Sequence, residues 1–81
     1  MIWIRGVFVK NWRNVRREVV SVFPDSDCVH YSMSTGKFDV RSNVFVLEEM
    51  EKLICICRKY GLWFFVNYFP KSMVEVIIYK L

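Results

Sequence analysis

Alanine and glutamine are absent from all 81 residues. A lack of glutamine leans toward a thermophilic source. A lack of alanine points to a small, compositionally biased gene, of the kind a virus or other mobile element carries. Three glycines and two prolines are too few for a linker or a low-complexity chain, so disorder is excluded. Three cysteines, Cys28, Cys55 and Cys57, are an odd number and too sparse for a secreted disulfide scaffold. They read as reduced, buried thiols of a cytoplasmic protein. No apolar run nears the roughly 20 residues of a membrane span; the longest, residues 62–66, suits a buried strand. Met1-Ile2-Trp3-Ile4 has no basic residue ahead of it and Arg5 interrupts it, so no secretory leader is expected.

Reactive chemistry is equally scarce. There is one histidine, no C-x-x-C and no glycine-rich phosphate loop. Cys28-Val29-His30 places two ligand types on one side of a strand, but Cys55-Ile56-Cys57 lies on an expected helix. Residues i and i+2 of a helix point about 200° apart, so two such thiolates do not reach one zinc ion. Asp25-Ser26-Asp27 reads as a helix stop, and Glu48, Glu49 and Glu51 as a solvated helix face. Neither a cofactor nor a small-molecule substrate is expected, and the chain reads as non-catalytic.

What the chain does have is apolar material: 54% hydrophobic and 17% aromatic residues. A domain of this size buries only about 60–65% of its unfolded surface, so the surplus favours an interface. Net charge is +4, a mild preference for acidic partners such as nucleic acid.

Residues 1–9 alternate as a strand. Trp12, Val15, Val19, Val22 and Phe23 recur at helical spacing over 12–23, with Asn11 as the expected N-cap. Residues 28–34 and 38–42 read as a hairpin turning at Thr35-Gly36-Lys37. A second helix is expected from a cap at Ser42 or Asn43, with Val46, Met50, Leu53, Cys57 and Tyr60 on its apolar stripe, widened by Leu47 and Ile54. Its acids come before its bases, as the helix dipole favours, and Gly61 ends it. Two strands close the chain over 62–69 and 73–80.

The order β-α-β-β-α-β-β predicts one α+β domain over 1–81. The expected fold is a two-layer ferredoxin-like plait with both helices on one face of an antiparallel sheet. The right-handed crossover rule places the strand at 1–9 between the strands at 38–42 and 62–69, with the last strand added outside 62–69 or swapped to a twin. This order with a fifth strand is similar to that of the small ferredoxin-like nucleases of CRISPR adaptation. Those carry an acid at the end of the first strand, where this chain has Val9-Lys10-Asn11.

The last twenty residues, LWFFVNYFPKSMVEVIIYKL, are apolar on both faces of the expected hairpin. A strand with one face in water alternates apolar and polar residues, and this one barely does. The open sheet face is therefore expected to carry Trp3, Arg5, Val7, Trp63, Phe65 and Asn67, with His30, Ser32, Lys37, Arg41 and Tyr79 beside them. Two uses compete. One is a protein interface, with Trp3, Arg5, Trp63, Phe65, Asn67 and Tyr79 buried by a twin copy or a partner. This would make the chain a homodimeric inhibitor or adaptor. The other is nucleic-acid binding, with the same aromatics stacking bases and Lys10, Arg13, Arg16, Arg17 and Arg41 meeting phosphates. The glycine-aromatic signature of RNA-recognition domains is missing from Gly36-Lys37-Phe38-Asp39-Val40-Arg41-Ser42.

Overall fold

The structure, a computed structural model, describes residues 11–23, 28–70 and 73–81. Its elements are α1 (Trp12–Val22), β1 (Cys28–Ser32), β2 (Lys37–Ser42), α2 (Leu47–Tyr60), β3 (Leu62–Phe69) and β4 (Met73–Lys80). The expected strand at 1–9 and the Pro24 to Asp27 helix stop lie outside the described residues, as do Trp3, Arg5 and Lys10. The fold is α+β: two helices cover one face of a four-stranded antiparallel sheet of order β1-β2-β4-β3.

That order corrects the expected topology. The last strand is not an added edge. β4 lies between β2 and β3 and pairs with both, Val76 standing between Val40 and Val66. It holds the place that the crossover rule reserved for residues 1–9, and it pairs within its own chain. Its composition suits a central position: Val74, Val76 and Ile78 are buried while Ile77 and Tyr79 are half-buried.

The core is the layer between helices and sheet. Val15, Val19 and Val22 of α1 and Leu53, Ile56 and Cys57 of α2 meet Val29, Phe38, Val40, Leu62, Phe64, Val74, Val76 and Ile78. Burial raises the Cys57 thiol to about 11, so it stays protonated and packs as a small apolar group. Ile56, which falls outside the expected stripe, is buried; Val46 and Leu47, inside it, are exposed.

The helix caps differ from expectation. Asn11 is left-handed, at φ 56°, and its side chain makes no cap hydrogen bond. Its carbonyl accepts from Asn14 N and Val15 N instead. α2 begins at Leu47, later than a cap at Ser42 or Asn43 would set. Phe45 decides this. It packs on Phe23 and Phe64, at 5.6 and 6.1 Å between ring centres, which holds 43–46 as a loop. Glu49 Oε1 then accepts from Val46 N at 3.1 Å. Valine has no acceptor to return the bond, so half of a capping box forms. Two glycines take the left-handed backbone as expected: Gly36 in the β1–β2 turn, at φ 71°, and Gly61 ending α2, at φ 70°.

A polar clamp joins the helices. Tyr60 Oη and Lys59 Nζ both donate to Glu18 Oε2, the lysine at 3.1 Å. The tyrosine bond first, then the lysine, hold the Glu18 carboxyl below its ordinary value of 4.5. A depressed carboxyl stabilises the fold above its unfolded pKa, and that contribution is lost as pH falls through the folded value. Glu18→Gln is therefore expected to flatten the acid side of the melting temperature against pH, from about pH 4.5 downward, while changing little in salt-screened neutral buffer. An unchanged acid limb would show the clamp to be idle.

Candidate functional site: the open face of the sheet

Alternation along each strand sends one set of side chains into the core and the other to the far side of the sheet. The far set on β3 is Trp63, Phe65, Asn67 and Phe69, all exposed. On β4 it is Met73, Glu75, Ile77 and Tyr79, on β2 Lys37, Asp39 and Arg41, and on β1 His30 and Ser32. The sequence-based assignment of Trp63, Phe65, Asn67, Tyr79, Arg41, Lys37, His30 and Ser32 to one face agrees with this arrangement. Phe69 follows Trp63, Phe65 and Asn67 by the same alternation, and three residues of the face escaped the assignment: Met73, Glu75 and Ile77. The same period of two, continued back from Tyr79, reaches all three.

The strand register arranges these side chains in cross-sheet rows. Trp63 pairs with Tyr79 at one end and Phe69 with Met73 at the other. Between them lie two rows. One is His30, Asp39, Ile77 and Phe65; the other contains Arg41, Glu75 and Asn67. Phe65 and Tyr79 are tilted rings 5.9 Å apart. Trp63 is 39% exposed, Phe65 44%, Phe69 45% and Met73 40%, so the β3–β4 ribbon offers water two apolar patches with Asn67 and Glu75 between them.

The charged groups form one local network. Arg41 lies 3.7 Å from Asp39 Oδ2 and 3.7 Å from Glu75 Oε2. Asn67 Nδ2 donates to Glu75 Oε1 at 3.4 Å. Burial first, then the neighbouring Glu75 carboxyl, raise the Asp39 pKa; Arg41 and His30 pull it down. Ionised Asp39 keeps a buried Oδ1 that accepts no hydrogen bond. Among the described residues of this face, two cations (Lys37, Arg41) balance two carboxylates (Asp39, Glu75). A shallow hollow of about 180 Å³ opens between Arg41, Glu75, Phe69 and Met73.

The other basic candidates sit in the helix layer. Arg13, Arg16 and Arg17 are exposed on α1, whose buried side packs against the opposite face of the sheet. Arg13 lies over the Trp12 ring at 5.2 Å. Trp12 in turn stacks on Tyr31 of β1 at 4.9 Å. Arg16 Nε donates to the Val29 carbonyl at 3.3 Å, and Arg17 to the Asn14 amide oxygen at 3.4 Å. The structure thus separates two groups that nucleic-acid binding needs together. Trp63 and Phe65 are on one side of the sheet, and the α1 arginines are on the other.

Cys55 is exposed on α2 and Cys57 buried, as their helical spacing requires. Among the described residues no three His, Cys, Asp or Glu side chains gather where they could hold a metal ion. No helix among them is long and apolar enough to cross a membrane.

Comparison with protein-family models, curated proteins and solved structures finds no match.

Proposed function

We propose that this chain is a non-catalytic interaction module, of the inhibitor or adaptor kind, whose open sheet face is covered by a protein surface. One observation carries the reading: the β3–β4 ribbon exposes aromatic and aliphatic side chains beside a charge network that is already balanced. Protein interfaces combine an aromatic centre, depleted of unpaired charge, with arginine nearby. A phosphate backbone needs surplus cations within reach of the stacked bases. Here Asp39 and Glu75 offset Lys37 and Arg41, and the α1 arginines belong to the other layer. The competing reading, a nucleic-acid binder, draws its support from Arg13, Arg16 and Arg17.

Titration with a single-stranded oligonucleotide, read by tryptophan fluorescence, separates the two. The expected result is weak binding that fades with salt and leaves the signal of Trp63 unchanged. Quenching that persists at moderate salt and disappears in Trp63→Phe would show bases stacking on this face and overturn the proposal.

A further inference from the structure

Two identical sheets can stack only where one face meets its own rotated image without clash of charge. The cross-sheet rows on the open face satisfy that condition in one register. Consider a two-fold axis lying between two such faces and running across the strands. Place it midway between the row containing Asp39, Ile77 and Phe65 and the row containing Arg41, Glu75 and Asn67. The rotation sets every strand over its own copy with direction reversed. Asp39 then faces Arg41 of the second copy, and Arg41 faces its Asp39. Trp63 comes over Phe69 and Tyr79 over Met73 of the second copy, beside the hollow bounded by Arg41, Phe69, Met73 and Glu75. Apolar ends cover apolar ends and Asp39 and Arg41 meet reciprocally, while Glu75, over Ile77 of the second copy, keeps Arg41 of its own chain 3.7 Å away.

We infer that the occupant of the open face is a second copy of this chain, stacked sheet on sheet with the strands antiparallel, Asp39 opposite Arg41 and Trp63 opposite Phe69. This rests on the protein-interface reading above and names its partner. Charge supports a twin here. The whole chain is +4, so copies repel each other, but among the described residues this face is neutral and alternates in sign along β2 as Lys37, Asp39 and Arg41. Stacked sheets lie about 10 Å apart with strands within about 30° of each other, a distance that arginine and tryptophan side chains span from both sides.

Charge reversal tests the register. Asp39→Arg and Arg41→Asp chains, each confirmed folded by circular dichroism, are weighed by light scattering alone and mixed. The wild type is expected near twice its 9.8 kDa. Each variant alone places like charges opposite each other and should dimerise at least tenfold more weakly. The mixture restores both pairs and should recover the dimer. A second measurement uses the unaltered protein. Isotope-filtered NMR on mixed labelled and unlabelled chains should show contact between the Trp63 indole and the Phe69 ring. Within one chain those groups sit at opposite ends of the face, roughly 20 Å apart, so any such contact is between copies. If a variant does not fold, this contact alone decides. A monomeric wild type, a mixture that stays monomeric, or a dimer lacking the Trp63–Phe69 contact would each overturn the inference. A monomer leaves the protein-interface reading standing, because only base stacking on Trp63 removes that.

Discussion

Phe38→Ala is expected to cost about 3–5 kcal/mol of stability, the range for truncating a buried aromatic side chain. Phe38 is fully buried on β2 and pairs with Tyr31 on one side and Ile78 on the other. Its ring touches Tyr31 at 4.7 Å, and Tyr31 carries Trp12 of α1. One truncation therefore loosens the sheet, the β1 edge and the start of the first helix together. The surrounding elements are short strands and a single helix layer, which cannot collapse fully into the space left. A domain of 81 residues is stable by only about 4–12 kcal/mol, so the variant sits near its unfolding threshold. Urea denaturation should show the loss as a lower midpoint at unchanged slope. Phe38→Leu should recover most of it. A cost under about 1 kcal/mol would mean that the core does not close around this ring.

Trp63→Asp and Phe65→Asp are expected to abolish self-association and leave the fold intact. Both side chains point away from the helices, and the core makes no use of them beyond a tilted contact of Trp63 with Phe64 at 5.3 Å. An aspartate on that face stays hydrated in the monomer but is desolvated in a stacked dimer. A buried, unpaired charge there costs several kcal/mol, enough to move dimerisation by more than a hundredfold. Light scattering should report a monomer, and circular dichroism should report undiminished helix. A variant that loses its helical signal would instead place the side chain in the internal core, one residue out of the register described above.

The two substitutions differ in how far the sequence alone reaches. The C-terminal hairpin was legible in full: its bounds, its turn at Pro70 and the split of Leu62, Phe64 and Val66 from Trp63, Phe65 and Asn67 all follow from alternation. The first helix was legible because its valines recur with helical period. The start of the second helix was not. Val46 continues the apolar stripe, but Phe45 is held by Phe23 and Phe64, contacts from residues 22 and 19 positions away that no local pattern encodes. Asn11 misled for a related reason: its residue type suits a side-chain cap, while the chain path gives it a left-handed backbone.

At the site, the sequence alone named the aromatics and Arg41, but it did not show that Asp39 and Glu75 surround that arginine. Asp39 and Arg41 are two apart on one strand, whereas Glu75 comes from β4, and only the β2–β4 pairing joins them. The same pairing separates the α1 arginines from the aromatic face, and this changes the balance between the two functional readings.

By itself, then, the sequence determined where each described strand lies to within two residues, most of each helix, and which side of each strand a side chain takes. Those properties depend on local period, capping and turn chemistry. Only the tertiary structure decided which strands are neighbours. Alternation marks a face but carries no label for the adjoining strand, so the last strand could as readily have formed an edge as the centre. Placing β4 between β2 and β3 lets Val74, Val76 and Ile78 reach the core, which an edge strand would leave partly in water. It also brings the charges of the open face into balance beside the aromatic ribbon.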